Sequence, residues 1–303
     1  MTGRRTQNGR SYLDPAVLSK INRLDLIARL VVEGFITGLH KSPFHGFSVE
    51  FSEYRPYMTG DSIKDIDWKV LGRTERFYVK RFQEETNVRA HLIVDGSGSM
   101  TFGSGDVSKL QYAKYLAAAL AWMLIRQRDA AGLVTFDKAV RTFMPPRSAP
   151  GYLHVILSEI EKLTGRGETQ VASTFHDLAE RITRRSLIIV LSDLLDSQQE
   201  VMRALKHFRH RKHEVIVFHI LDPLELDFNL RGNVEVRDME SHNAVSVETL
   251  YLRKSYKEKV EQFIHAYRKE CREHRIDYNL LRTDTLYSDA LTAYMVKRSR
   301  MGV

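Results

Sequence analysis

Cysteine is almost absent. Cys271 is the only one in 303 residues, so an intrachain disulfide, a cysteine-based zinc site and an iron–sulfur cluster are all excluded. A reducing compartment is the natural setting for such a chain. Long apolar runs are missing as well. The longest, around Ala117 to Ile125, falls well short of the roughly 18 residues that a membrane span needs. The first ten residues are polar and basic, and no apolar core follows them, so no secretory signal is read there. The expected location is the cytoplasm. A Gly-x4-Gly-Lys-Ser/Thr phosphate loop does not occur, which argues against the chain being an ATPase itself. Repeats and low-complexity tracts do not occur either.

What is present is ordinary globular material, 43% hydrophobic and 28% charged. A chain of this length buries roughly three quarters of its unfolded surface, so folding needs no metal or disulfide staple. Lys and Arg number 46 against 38 Asp and Glu, a net charge of +8. Such a balance favours acidic partners. The positive residues are interspersed with negative ones, as in Arg126-Gln127-Arg128-Asp129. That pattern fits a solvated surface better than a nucleic-acid groove. The densest basic clusters, Lys206 to Lys212 and Lys297 to Arg300, fall at expected helix ends, where they complement the helix dipole.

Apolar residues at three- and four-residue spacing predict a helix over about 14–40, started by Asp14-Pro15. Alternation over 47–57 predicts a strand, and 58–88 reads as polar chain with turn signals. From residue 89 short apolar strands alternate with amphipathic helices. Strands are expected at His91–Val94, Ala131–Phe136, Val140–Met144, Ser186–Leu191, Glu214–Ile220 and Tyr278–Leu281. Pro145, Pro146 and Pro150 are expected to break the chain before a helix at Tyr152–Leu163. A hairpin is expected within 222–248. The pattern predicts an α/β fold, a doubly wound and mostly parallel sheet flanked by helices, with an N-terminal helical and β extension. The expected boundary separates an N-terminal segment, 1–88, from a domain over 89–303.

Ligands of open parallel sheets sit at the carboxyl ends of the strands. The first strand ends in Asp95-Gly96-Ser97-Gly98-Ser99, a later one in Ser192-Asp193, and the loop between carries Gly165-Arg166-Gly167-Glu168-Thr169. Two carboxylates and three hydroxyls at one sheet edge are hard oxygen donors of low total charge, a set suited to Mg2+ or Mn2+. The Asp-x-Ser-x-Ser pattern with a later Thr and a later Asp resembles the metal-ion-dependent adhesion site of von Willebrand factor A domains. The resemblance implies that Asp95, Ser97, Ser99, Thr169 and Asp193 surround one divalent ion, with a position left open for a carboxylate from a partner.

Upstream, Gly46-Phe47, Glu50 to Tyr57, Gly60-Asp61, Ile66-Asp67-Trp68 and Arg73-Thr74 are similar to the stretch that defines the DUF58 family, which places it just before a von Willebrand-like domain. Members are typically encoded beside MoxR-type AAA+ ATPases, so the resemblance implies such a partner. Many carry N-terminal membrane helices, and this chain resembles the short form without them. The expected function is a non-catalytic, metal-dependent protein-binding adaptor for a MoxR-type ATPase, engaging a client that supplies an acidic residue to the ion.

The alternative is a metal-assisted hydrolase using Asp95 and Asp193. Ser97, Asp193 and His219 do follow the chain order of α/β hydrolases, but the Gly-x-Ser-x-Gly elbow is missing around Ser97. An aspartate-nucleophile phosphatase would want a second aspartate where Ser97 stands. His91 and His219 lie inside apolar strands and read as core residues. Tyr112, Tyr115 and Trp122 read as packing, and Cys271 as an inert buried thiol. Arg55, Asp61 and Asp67 are expected to pair internally, with Trp68 plugging the two regions together.

Overall fold

The computed structural model describes residues 14–40, 54–58, 68–74, 76–80, 88–167, 170–230, 232–237 and 244–301. Among them the elements run α1 (Pro15–Leu18), α2 (Leu24–His40), β1 (Tyr54–Pro56), α3 (Trp68–Thr74), β2 (Tyr78–Lys80), β3 (Arg89–Asp95), a 3₁₀ turn (Ser99–Thr101), α4 (Lys109–Arg126), β4 (Ala130–Phe136) and β5 (Val140–Arg147). They continue with α5 (Tyr152–Lys162), α6 (Val171–Arg181), β6 (Leu187–Ser192), α7 (Gln198–His210), β7 (Glu214–Leu221), α8 (Pro223–Asp227), β8 (Asn233–Arg237), β9 (Ala244–Glu248), α9 (Thr249–Glu273), β10 (Asp277–Arg282) and α10 (Tyr287–Arg300).

Six strands form the main sheet in the order β10-β7-β6-β3-β4-β5. Every neighbouring pair is parallel except β4 with β5, which is antiparallel. The expected α/β class, a mostly parallel sheet flanked by helices, is therefore what the chain forms. From β3 the chain first builds outward through β4 and β5, then returns to β6 on the other side of β3 and builds outward again. The direction of winding reverses between β3 and β6, and that is where open α/β sheets form a ligand crevice beyond the strand ends.

Period-two alternation divides each central strand between two cores. Ala90, Leu92 and Val94 of β3 face a core shared with α2, α4, α5 and α10, while Ile93 faces one shared with α6, α7 and α9. Helix α4 is nearly all buried, because the sheet covers one side of it and α2 the other. Leu24, Ile27, Ala28, Val31, Val32 and Phe35 of α2 supply that cover. The helix expected over 14–40 is in fact two. Asp14 caps α1 through the Ala16 N–H at 3.0 Å, the chain turns at Ser19 to Arg23, and Val17 is left exposed.

The strand expected over 47–57 lies mostly outside the described residues. Its end is β1, which pairs antiparallel with β2. Asp61 and Asp67 also lie outside them, and Trp68 is exposed. The expected hairpin is present as β8 and β9. Tyr112 stacks on Tyr287 at 4.5 Å between centroids. Cys271 is buried with its thiol pushed up to about 12, first by burial and then by Glu270.

A further expectation needs correction. Pro145 and Pro146 do not end β5, which continues through them to Arg147. An edge strand tolerates residues without an N–H, and β5 is an edge. Gly132 makes this possible on the partner strand. The β4–β5 register shifts between Ala131 and Leu133. A Cβ on Gly132 would stand 2.6 Å from the Met144 carbonyl oxygen and 2.8 Å from the Pro146 nitrogen. Those atoms are backbone and cannot rotate away. Gly132→Ala should therefore cost about 1–3 kcal/mol, the range for overpacking. Urea unfolding measures this, and an unchanged midpoint and slope would contradict the close approach.

Candidate metal centre

Asp95 ends β3 and Asp193 directly follows β6, so the winding reversal brings both to the crevice between the two strands. The loop after Asp95 is tied down by its backbone. Gly96 N–H donates to the Phe136 carbonyl at 2.7 Å, Gly98 N–H to Gly167 at 2.9 Å, and Arg166 N–H to Gly96 at 3.0 Å. The Arg141 guanidinium donates to the carbonyls of Thr164 and Arg166 at 3.0 and 3.1 Å. A side chain on Gly165 would collide with the Thr101 methyl and stand 3.0 Å from the Ser97 carbonyl oxygen. The first loop and the Gly165–Gly167 loop thus rest directly on one another. Thr169 itself lies outside the described residues, as does Glu168.

Asp95, Ser97 and Asp193 have no exposed surface, and Ser99 is also buried. Asp95 Oδ1 accepts the Ser97 N–H at 2.9 Å, and Oδ2 accepts the Ser192 hydroxyl at 2.6 Å. Ser192 Oγ in turn accepts the Leu194 N–H at 2.9 Å. Leu194 has φ of 51°, a left-handed conformation that is uncommon for a leucine. The Ser97 and Ser99 hydroxyl oxygens lie 3.0 Å apart. Four of the five expected residues are therefore buried around the β3 and β6 ends, each held by neighbours.

Asp193 carries a partner that composition and spacing did not reveal. Lys109, the first residue of α4, is fully buried and places its Nζ 2.7 Å from Asp193 Oδ2 and 2.6 Å from Glu225 Oε1. Burial alone pulls its ammonium down, but Asp193 and Glu225 more than reverse this, so its pKa stands above the usual lysine value. Glu225 belongs to a reciprocal cap. Its Oε2 accepts the Asp222 N–H at 2.8 Å, while Asp222 Oδ1 accepts the Leu224 N–H at 2.8 Å. Asp222 also accepts the Ser104 N–H at 2.9 Å, the Ser104 hydroxyl, and the Thr283 hydroxyl at 3.3 Å. The sequence did carry a signal here: an apolar strand followed by Asp-Pro-x-Glu is a capping-box signature.

His219 is a core residue, as expected. Its Nε2 meets the Asp193 main-chain oxygen at 2.8 Å and its Nδ1 meets the Tyr278 hydroxyl at 2.6 Å. Burial is the main reason its pKa falls to about 4. His219 thus fixes the Asp193 backbone and does not touch Ser97, so the hydrolase-like order Ser97, Asp193, His219 is not assembled as a triad. His91 is likewise buried and neutral, lowered to about 4 chiefly by burial, and it packs 5.9 Å from the Phe143 ring with its Nδ1 lacking a hydrogen bond.

The electrostatics of the cluster bear on whether these residues suit a divalent cation. Asp193 and Glu225 share the Lys109 ammonium, while Asp95 is held by the Ser192 hydroxyl and the Ser97 N–H. Asp95 is pushed up to about 7, first by burial and then by the charge of Asp193, although hydrogen bonds from Ser192 and Ser97 pull it back. Burial and the Asp193 charge both favour the protonated form of Asp95, and a cation beside it would favour the carboxylate. The donors are oxygen throughout, two of them neutral hydroxyls 3.0 Å apart. This donor set fits a hard divalent ion that keeps part of its water shell. Among the described residues no group of three or more His, Cys, Asp and Glu converges as a ligand cage, so serine hydroxyls would have to complete the ligand set.

Comparison with known proteins gives a family match and several distant likenesses. The model for DUF58, a protein family of unknown function, matches residues 53–265. Uncharacterized proteins of Mycobacterium bovis and Mycobacterium tuberculosis are 28% identical over 233 residues, covering 75% of this chain and 72% of theirs. Among solved structures, the conserved hypothetical protein BatB from Bacteroides thetaiotaomicron is 17% identical, with 70% of this chain and 99% of that chain covered and a TM-score of 0.48. An aerotolerance-related membrane protein from Bacteroides fragilis gives the same identity and coverage at a TM-score of 0.47. The SpRpn10 VWA domain is 13% identical, with 67% and 92% covered, at a TM-score of 0.37. No helix among the described residues of this chain is long and apolar enough to cross a membrane.

The raised pKa of Asp95 has a measurable sign. Between the unfolded carboxylate value near 4 and the folded value, the native state keeps a proton that the unfolded state has lost, so stability falls as pH rises, by up to about 1.4 kcal/mol per unit. His91 and His219 act in the opposite direction below pH of about 6.5, but they are common to wild type and Asp95→Asn. In chelator, the stability of wild type minus that of Asp95→Asn should therefore decline steadily from pH 4 toward 7, as read from urea unfolding. A difference that is flat or rises with pH would contradict the site electrostatics.

Proposed function

This chain belongs to the DUF58 family, and on that footing we propose that it is a non-catalytic, divalent-metal-dependent protein-binding adaptor. The observation that carries the reading is the buried pair Asp95 and Asp193, with Asp95 held by the Ser192 hydroxyl and the Ser97 N–H, beside two paired serine hydroxyls at the winding reversal of the sheet. In this reading Asp95, Ser97, Ser99, Thr169 and Asp193 hold Mg2+ or Mn2+. The ion, when bound, supplies a Lewis-acidic point that accepts a carboxylate from the bound protein.

The chain's own residues do the rest. Ser192 and the Ser97 N–H hold the two Asp95 oxygens, which orients the carboxylate. Ser97 and Ser99 add neutral oxygen, so the total ligand charge stays low and exchange stays easy. The net charge of +8 draws an acidic partner toward the surface, an attraction that salt weakens. The resemblance to DUF58 proteins encoded beside MoxR-type AAA+ ATPases supports such an ATPase as one partner and a client with an exposed Asp or Glu as the other. The proposed place of work is the cytoplasm.

A hydrolytic reading finds less support. It needs a base free to take a proton from water near the ion, and both ring nitrogens of His219 are already engaged.

Isothermal titration with Mg2+ and Mn2+ should show saturable binding to wild type and at least a tenfold loss in Asp95→Ala and Ser97→Ala. Pull-down of the cognate MoxR-type ATPase should succeed with Mg2+ and fail with chelator or Asp95→Ala, with the fold intact by circular dichroism. Equal capture in chelator would remove the metal from the binding mechanism.

A further inference from the structure

Lys109 stands where a lysine is doubly disfavoured. It is fully buried, and it occupies the first turn of an 18-residue helix, the positive end of the helix dipole. Its ammonium is not there for solubility, and it points away from water into Asp193 and Glu225, at 2.7 and 2.6 Å. Glu225 is itself fixed by its cap on Asp222, so the ammonium is held from both sides. Asp193 Oδ1 meanwhile accepts the Leu195 N–H at 3.3 Å. Both oxygens of this expected ligand therefore already have a donor from the chain.

We propose that Lys109 is the affinity-setting residue of the site, an internal cation that competes with a divalent ion for Asp193 and keeps ion binding weak and exchangeable. The proposal rests on the metal-dependent reading above. Its physical basis is charge at short range. An ammonium beside a divalent ion repels it, and an Asp193 oxygen shared with Nζ is a poorer ligand than a free one. Glu225 has the opposite effect. It holds Lys109 in place, but its own charge returns to the cluster the negative charge that Lys109 cancels. Asp95, Ser97 and Ser99 are left as the ligands without a competing cation, which makes β3 the stronger half of the site and β6 the adjustable half.

Three variants separate these effects. Lys109→Met alone leaves the buried Asp193 and the half-buried Glu225 without their cation and risks the fold. Lys109→Met combined with Glu225→Gln removes one positive and one negative group together, so the formal charge of the cluster is unchanged and only the competition for Asp193 is lost. Glu225→Gln alone keeps the competitor and removes a negative charge. Titration calorimetry with Mn2+ as the probe, checked by the Mn2+-induced rise in Tm, should show the double variant binding at least tenfold more tightly than wild type. Glu225→Gln should bind at least threefold more weakly. Wild-type binding that Asp95→Ala abolishes, with a double variant that binds no tighter, overturns the role of Lys109 and leaves the metal reading standing. Binding that Asp95→Ala does not reduce in either background, or no saturable binding by wild type or the double variant, overturns both.

Discussion

Asp95 and Asp193 are held out of water at the carboxyl ends of neighbouring parallel strands, and the surrounding structure is arranged to make that tolerable. Burying a carboxylate without compensation is among the costliest things a fold can do. Here the compensation is partial. Asp95 receives two hydrogen bonds, from Ser192 and the Ser97 backbone, while Asp193 receives the Lys109 ammonium and a backbone N–H. His219 steadies the Asp193 main chain from below. The cap at Asp222 and Glu225 then links α8, the Ser104 region and the end of β10 to the same cluster. Asp193 is thereby joined to Lys109 and, through Glu225, to α8.

Much of this is legible in the sequence. Apolar runs with helical stretches between them mark the parallel sheet, and Asp95 and Asp193 can be placed because one follows Leu92-Ile93-Val94 and the other follows Leu187 to Leu191 and Ser192. The prolines at 145 and 146 misled, since position at a sheet edge and the bare backbone of Gly132 decide whether a strand tolerates them. Spacing alone predicts one N-terminal helix where the chain turns at Ser19 to Arg23, because a broken stripe and a continuous one share the same spacing. Lys109 was not legible at all. A lysine at the start of an apolar helix normally reads as solvated, and only the presence of Asp193 after β6 and Glu225 on α8 beside the start of α4 shows why it is turned inward.

Asp95, Ser97 and Ser99 stand in an Asp-x-Ser-x-Ser loop, and the local physics adds something that motif does not contain. In the proposed reading, two buried carboxylates, neutral hydroxyls and one competing ammonium would hold an ion that comes and goes. Such a site suits a binding module whose partner completes the ligand set, since weak resident affinity leaves room for the partner's carboxylate to raise it.

The most direct test is the position of the ion itself. Crystals of the protein grown with Mn2+ and measured for anomalous scattering should show one strong peak within about 2.5 Å of the Ser97 and Ser99 hydroxyl oxygens, beside Asp95 and with Lys109 still bridging Asp193 and Glu225. A Mn2+-containing crystal with no peak at these residues, or with its peak elsewhere on the molecule, would contradict the central claim that the buried Asp95–Asp193 pair is a divalent-ion site.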